Sequence, residues 1–174
     1  MTIAILVSLF LGLTFPQSAA KDDFLATVGF FEGRWQGTGT GEPGNATVER
    51  DYRFVLGGRF LQAKNVSRWA PRDKNPKGEV HEDVGLLSYD RARKTIVYRQ
   101  FHIEGFVNQY AMQAITDPKT LVFVSEAIEN IAPGWRARET YHILGSDEFE
   151  EVFELAAPGK GFELYSKCRL RRVQ

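Results

Sequence analysis

The chain has 174 residues, with 22 Lys and Arg against 22 Asp and Glu, three His and one Cys. This length suits one globular domain, and the zero net charge argues against a nucleic-acid-binding protein, which normally carries a basic excess. Because Cys168 is the only cysteine, the chain can form neither an intrachain disulfide nor a cysteine-rich zinc site. The three His are spread along the sequence, and their spacing does not predict a metal site.

The N-terminal segment Met1–Ala20 carries no charged side chain and has the features of a secretory signal peptide. Its apolar run, Ile3–Phe15, is shorter than the ~18–20 residues that a helix needs to cross a bilayer. Ser18 and Ala20 provide the small residues of a cleavage site after Ala20. An uncleaved anchor or an N-terminal core helix is the alternative, because only the terminal amine is positive. We expect a secreted or periplasmic domain over residues 21–174, with no membrane span after cleavage.

A short helix is predicted at the start of this domain, over Asp22–Phe31. Phe24, Val28 and Phe31 recur at the spacing of one helical face. Asp22 or Asp23 can cap the helix at its start, and Gly33 can end it because glycine accepts the left-handed conformation.

The rest of the chain alternates between runs rich in β-branched and aromatic residues and turn signals of Gly, Pro, Asp or Asn, a pattern typical of consecutive strands. The predicted strands are Arg34–Thr40, Thr47–Leu56, Arg59–Trp69, Glu79–Tyr89, Lys94–Ile103, Phe106–Ile115, Thr120–Asn130, Trp135–Leu144, Glu148–Ala156 and Phe162–Arg172. Short connections favour an antiparallel meander. About eight to ten such strands lose their edges by closing into a barrel or by folding into a sandwich. A barrel of more than about eight strands usually leaves interior space unfilled.

The segment Phe31–Gly39 contains a Gly-x-Trp-x-Gly-x-Gly motif around Trp35, directly after the predicted helix. The motif resembles the opening of calycin β-barrels, the group of lipocalins and fatty-acid-binding proteins. The resemblance implies that Trp35 fills the base of the barrel and that Gly33 lets the helix approach. It also implies a cation–π contact between this Trp and an Arg from the final strand, for which Arg169 and Arg171 are the candidates.

Two further segments resemble one particular family of barrels within this group. Leu56–Leu61 reads Leu-Gly-Gly-Arg-Phe-Leu, and Val84–Asp90 has a Gly-x-x-x-Tyr-Asp pattern. Both are similar to motifs of an uncharacterised bacterial family with a lipocalin-like barrel, which is related in layout to the nitrobindins, haem-binding ten-stranded barrels. His81–Gly85 also resembles the His-x-acid-x-Gly strand of the nitrobindins.

The sequence departs from the nitrobindins at the position of the haem ligand. The resemblance would place a haem-ligating His on the last strand, and no His follows His142. Tyr165 or Cys168 would have to ligate the iron instead. We therefore expect no cofactor, with a haem-binding, nitrobindin-like enzyme as an alternative.

Six residues are candidates for contact with a ligand in the barrel interior: Tyr52, His81, Tyr98, His102, Tyr110 and Tyr141. Ligand cavities are mostly apolar with a few polar groups, which aromatic side chains suit. Tyr98 and His102 share a strand face that we expect to point inward, with the opposite face and its Arg99 as the alternative. His81 shares a face with Asp83. They form either a cavity pair or, more simply, a solvent-facing pair at a strand start.

The sequence contains no Gly-x-Ser-x-Gly elbow, phosphate loop or His-Glu-x-x-His motif, and it predicts no catalytic residue. We expect a secreted or periplasmic barrel, monomeric or homodimeric, that binds a small apolar or amphipathic molecule without chemical turnover. The alternatives are the haem-binding enzyme and an interaction module whose barrel is filled.

Overall fold

The computed structural model describes residues 17–73, 75–114 and 116–173, with side chains from residue 23 onward. An α-helix, α1, spans Gln17–Val28 and continues into a 3₁₀ turn over Gly29–Phe31. The predicted short helix is present, although it already includes residues upstream of Asp22. Most of the predicted signal peptide lies outside the described residues. Within the described ranges, no helix is both long and apolar enough to span a membrane.

Ten antiparallel strands follow the helix and form one closed barrel. They are β1 (Gly33–Gly41), β2 (Gly44–Val55), β3 (Phe60–Trp69), β4 (Glu79–Asp90), β5 (Thr95–His102), β6 (Val107–Met112), β7 (Thr120–Glu129), β8 (Arg136–Gly145), β9 (Glu148–Ala156) and β10 (Glu163–Arg172). Each strand pairs with its neighbours in sequence, and β10 pairs with β1. The predicted antiparallel barrel is confirmed, and the sandwich alternative is wrong.

Side chains alternate between the interior and the outer surface along each strand, as the period of two requires. On β2, for example, Ala46, Val48 and Arg50 are buried, whereas Thr47 and Glu49 between them are exposed. The same alternation on β5 turns Tyr98 and Gln100 inward, which is the orientation favoured from the sequence. The alternation therefore also places a charged side chain, that of Arg50, in the interior of the barrel.

An aromatic cluster closes one end of the barrel, which we call the base. Trp35 is fully buried there, and its Nε1 donates a hydrogen bond to the carbonyl oxygen of Phe31 at 2.7 Å. Its ring lies 4.8 Å from that of Phe149 and 5.2 Å from that of Phe30, measured between centroids. Gly33 joins the 3₁₀ turn to β1 with a φ of 122°, a conformation that favours glycine. Trp35 thus fills the base as expected.

The cation that lies over Trp35 is Arg172, and the prediction of Arg169 or Arg171 for this role is corrected. The Arg172 guanidinium carbon lies 4.1 Å from the centroid of the indole. Arg169 and Arg171 stand at the alternate positions of β10, so they point outward, where each bonds Glu148 at 2.9 Å. A shift of one residue along a strand moves a side chain to the opposite face.

Candidate functional site

The half of the barrel opposite the base encloses a cavity of about 360 Å³. The cavity opens between the loops at that end, which we call the mouth. The side chains that line the mouth are mainly apolar and include Pro43, Phe106, Ile131 and Trp135. The barrel is therefore not filled by its own side chains.

A buried ion pair between β2 and β9 forms one part of the cavity wall. Arg50 Nη2 lies 2.6 Å from Glu151 Oε1, and the two side chains are only 5% and 13% exposed. Arg50 Nε also donates to Glu151 Oε2 at 3.1 Å, so the contact is bidentate. Burial lowers the pKa of Arg50, but the charge of Glu151, its hydrogen bonds to Arg50 and the smaller effects of Cys168 and Tyr52 together raise the pKa above its usual range. The two charges compensate each other inside the barrel.

A second polar cluster surrounds Asp83 on β4. Asp83 Oδ1 accepts hydrogen bonds from Asn65 Nδ2 at 2.7 Å and from Gln100 Nε2 at 2.9 Å. Its other oxygen, Oδ2, lies 3.7 Å from His81 Nε2. Burial raises the pKa of this carboxyl, and Arg50 opposes the rise. Because Asp83 and His81 both line the cavity, the solvent-facing interpretation of this pair is wrong.

Two histidines meet beside Asp83. His102 Nδ1 and His81 Nε2 are 3.2 Å apart, and His81 Nδ1 lies 2.8 Å from a carboxylate oxygen of Glu104. Asn108 Nδ2 lies 3.1 Å from His102 Nε2 and donates to it, which leaves the proton of His102 on Nδ1, facing His81. Burial, together with the charge of His81, lowers the pKa of His102 to about 3. His102 is therefore neutral at physiological pH.

The buried polar residues Asn65, Gln100, Asn108 and Glu139 of the lining form what we call the floor of the cavity, and Glu139 on β8 is its carboxyl group. It accepts hydrogen bonds from the Tyr110 hydroxyl at 3.3 Å and from the Tyr141 hydroxyl. Burial and the charge of Glu151 raise the pKa of Glu139 to about 8. The carboxyl is therefore largely protonated at neutral pH.

Three buried amide oxygens of the cavity lining have no hydrogen-bond partner among the described residues: Asn65 Oδ1, Gln100 Oε1 and Asn108 Oδ1. An unpaired buried acceptor costs about 1–3 kcal/mol. The three residues that carry these oxygens all line the cavity.

The six predicted ligand residues divide into two groups. His81, His102 and Tyr141 line the cavity. Tyr52, Tyr98 and Tyr110 are buried, but they do not border the cavity.

The sequence analysis did not single out several polar side chains of the lining: Arg50, Asn65, Asn108, Glu139 and Glu151. A signal for Arg50 was present, because it continues the inward positions of Val48 and Tyr52 on β2. The alternation rule identifies such residues only if a charged side chain is accepted at an interior position.

No protein-family model and no curated protein sequence matches the chain. Among solved structures, the barrel is similar to that of Rv2717c from M. tuberculosis, at 17% identity, over 90% of this chain and 99% of that chain, with a TM-score of 0.65. A de novo designed fluorescence-activating β-barrel aligns over 85% of this chain and 98% of that chain, at 10% identity and a TM-score of 0.42. The second likeness is too remote to carry an argument, and the first shows the fold alone.

Proposed function

We propose that the barrel binds a small amphipathic molecule, whose polar head donates hydrogen bonds to the cavity floor, without chemical turnover. The observation that carries the proposal is the set of unpaired amide oxygens of Asn65, Gln100 and Asn108 in a cavity of about 360 Å³. Donor groups on a ligand would satisfy these acceptors and recover the cost of burying them. The volume lies near the lower end of the ~300–1,000 Å³ range of small-molecule sites.

The charges around the cavity favour a cationic head over an anionic one. Arg50 and Glu151 compensate each other, which leaves Asp83 as an additional buried carboxylate. Glu79 and Glu104 add acidic groups to the lining nearer the mouth. An ammonium group would be attracted by this field, whereas a carboxylate would be repelled and would add another acceptor.

The apolar part of the ligand would lie at the mouth. Phe106, Ile131 and Trp135 present aromatic and aliphatic surface there, and Leu155 continues it on the wall of the barrel. The sequence predicts a mostly apolar ligand. Because the mouth is apolar and the floor is polar, we propose an amphipathic ligand instead. This arrangement also argues against an interaction module with a filled barrel.

Binding without turnover is supported by the state of the nucleophilic groups in the lining. Burial raises the pKa of the Cys168 thiol to about 12, so the reactive thiolate is not formed near neutral pH. The Ser67 hydroxyl accepts a hydrogen bond from Arg50 Nη1 at 3.3 Å and is not bonded to a general base among the described residues.

The haem-binding alternative fits this donor set poorly. Cys168 would have to ligate the iron as a thiolate, and its raised pKa opposes deprotonation. Tyr165 is half-buried, and burial likewise raises the pKa of its hydroxyl. The proposal therefore includes no haem.

A secreted or periplasmic location and kinship with the lipocalin-like bacterial barrels belong to the same proposal. The location is supported by the uncharged apolar segment Met1–Ala20, and the kinship by the motif around Trp35 and by the closed barrel. Mass spectrometry of the protein recovered from its native host tests the location: an N-terminus at Lys21 is expected, and an intact Met1 would contradict it.

Three probes of equal chain length test the ligand class: n-octylamine, n-octanol and octanoate. Trp69 and Trp135 both line the cavity, so intrinsic tryptophan fluorescence reports its occupancy. We expect saturable binding with the amine tightest and octanoate weakest. Gln100→Met, which removes both the unpaired oxygen and the hydrogen bond from Nε2 to Asp83 at similar volume, should weaken amine binding by ~10-fold.

The matched control for this variant is Gln36→Met, because Gln36 lies on the exposed outer face of β1. It should leave the affinity for octylamine unchanged. Tighter binding of octanoate than of octylamine, or no saturable response to any probe, would contradict the proposal.

A further inference from the structure

We propose that His81, Asp83 and His102 form a binding site for a divalent first-row transition-metal ion on the cavity wall. The ligand atoms would be His81 Nε2, Asp83 Oδ2 and His102 Nδ1. This inference goes beyond the proposed function, because three protein ligands would hold the ion whether or not an organic molecule occupies the cavity.

The positions of the three atoms suit one ion. One ligand atom from each of the three residues lies within 4.8 Å of the other two. His81 Nε2 is 3.2 Å from His102 Nδ1 and 3.7 Å from Asp83 Oδ2. Ligands at ~2.0–2.1 Å from a tetrahedral ion are about 3.3–3.4 Å apart, so small side-chain movements bring the three onto a common centre.

Two paired strands set this geometry. Asp83 on β4 and His102 on β5 are direct cross-strand partners in the antiparallel ladder. His81 precedes Asp83 by two residues, so both side chains lie on the interior face of β4. Adjacent strands of a closed barrel hold such positions more rigidly than loops do.

Further side chains orient the ligands as metal sites require. Glu104 lies 2.8 Å from His81 Nδ1, which directs Nε2 toward the proposed ion in a carboxylate–histidine–metal arrangement. Asn65 and Gln100 both donate to Asp83 Oδ1, and Oδ2 makes no hydrogen bond among the described residues. One oxygen of the carboxylate is thus fixed and the other is free to ligate.

The unpaired oxygen of Asn108 has an explanation in this site. When Nδ1 of His102 ligates an ion, the ring proton moves to Nε2, which then becomes a donor. Asn108 Nδ2 now contacts both His102 Nε2 at 3.1 Å and the Tyr110 hydroxyl at 2.8 Å, so a half-turn of the amide brings Oδ1 to face both groups. The oxygen that lacks a partner in the absence of an ion then accepts that hydrogen bond.

The donor set indicates the class of ion. Two imidazoles and one carboxylate suit Zn²⁺ and Fe²⁺, whereas Ca²⁺ and Mg²⁺ prefer oxygen ligands and Cu⁺ prefers sulfur. The three side chains all border the cavity, so the remaining coordination positions would face its interior. Three protein ligands with open positions are typical of exchangeable or reactive metal ions rather than of closed structural sites.

Titration of the chelator-treated full chain, prepared without a polyhistidine tag, tests the site. We expect one Zn²⁺ per chain by isothermal titration calorimetry, and d–d absorption bands of low-symmetry coordination with Co²⁺. His102→Ala should weaken Zn²⁺ binding by at least ~100-fold. His142→Ala is the matched control, because the third histidine lies outside the cavity, beside Thr120, and its loss should leave the affinity unchanged.

Two further measurements keep the test decisive if His102→Ala fails to fold. Glu104→Gln changes a residue at the mouth and should weaken Zn²⁺ binding by ~10–100-fold. Nitrogen NMR of the imidazoles should show ligation through Nε2 of His81 and Nδ1 of His102. Absence of stoichiometric binding, or equal losses for His102→Ala and His142→Ala, would overturn the proposal. Neither result depends on the octylamine titration, so the two proposals fail separately.

Discussion

The two halves of the barrel differ in what they bury. The base packs Trp35 against Phe30 and Phe149, and the hydrogen-bond donor of its indole is satisfied. The half toward the mouth buries the Arg50–Glu151 ion pair, and it encloses a cavity. Buried apolar surface stabilises a fold directly, whereas buried charges roughly offset their own desolvation.

This difference assigns stability to the base and, under the proposed function, binding to the mouth. A closed sheet supplies the same backbone hydrogen bonds to both halves, so the side chains alone distinguish them. The unpaired acceptors of the cavity lining weaken the fold, and under the proposed function they receive the ligand, as expected where function opposes stability. Four substitution experiments test the division.

The largest effect is expected from removing the indole of the base. Trp35→Ala should lower the free energy of unfolding by ~3–5 kcal/mol, measured by urea denaturation, because it opens a cavity in a fully packed cluster. Trp135→Ala is the matched control, since this Trp is 38% exposed at the mouth, and the expected change is below ~1 kcal/mol. Similar losses for both variants would refute the assignment of stability to the base.

The buried ion pair should be costly to break and inexpensive to replace. Glu151→Leu leaves Arg50 charged and unpaired, so the free energy of unfolding should fall by ~3 kcal/mol. The double variant Arg50→Met/Glu151→Leu should recover most of this loss, because it removes both desolvated charges. A double variant that is as unstable as the single one would show that the pair itself stabilises this half.

Stability should also fall as the pH rises, because of Glu139. Its pKa is about 8 in the folded protein, against an ordinary value of 4.5, so the unfolded chain releases the proton first. Glu139 makes its full contribution to the free energy of unfolding below pH 4.5, and this contribution is lost progressively between pH 4.5 and 8. In Glu139→Gln, the free energy of unfolding should fall by a few kcal/mol less over this pH range than in the wild type. Denaturation measured from pH 5 to 9 tests this.

The groups whose charges act on Glu139 include Asp83, Arg50 and Glu151. These groups are present in both the wild type and Glu139→Gln. The difference between the pH profiles of their unfolding free energies therefore reports the titration of Glu139. Parallel profiles for the wild type and Glu139→Gln would refute the raised pKa.

The smallest effect concerns the cation over the indole. Arg172→Met removes the contact with Trp35 and the hydrogen bond from Arg172 Nη2 to the Phe30 carbonyl oxygen at 2.8 Å. The free energy of unfolding should fall by ~1–2 kcal/mol. Arg171→Met, at a side chain that is 78% exposed, should change it by less than ~0.5 kcal/mol. The reverse order would restore Arg171 to the role first predicted for it.

Much of the fold was accessible from the sequence, because turn chemistry and alternation are local signals. The Gly57-Gly58 pair adopts positive φ angles of 70° and 74° between β2 and β3, as its residue type requires. The Trp motif identified the base for a similar reason, since a short helix, a glycine and the indole follow one another directly. The strand number followed from the runs between turn signals, and the barrel followed as one of two ways to remove exposed sheet edges.

The candidate site was less accessible, because it depends on the register between strands. His81 and His102 are 21 residues apart and meet only because Asp83 pairs directly with His102. The three histidines therefore looked unrelated in the sequence. Which Arg lies over Trp35 depends on the same kind of information, since a slip of one residue exchanges the two faces of β10.

The seam between β1 and β10 has a consequence for how the protein is made. The backbone of β10 passes so close to β1 that a Cβ on Gly37 would lie 1.9 Å from the Arg169 carbonyl oxygen. The first strand to leave the ribosome thus waits for the last before its edge is covered, and such distant pairings form slowly. The internal chamber comes into existence only after translation of the final strand, so any cargo is loaded after synthesis rather than during it.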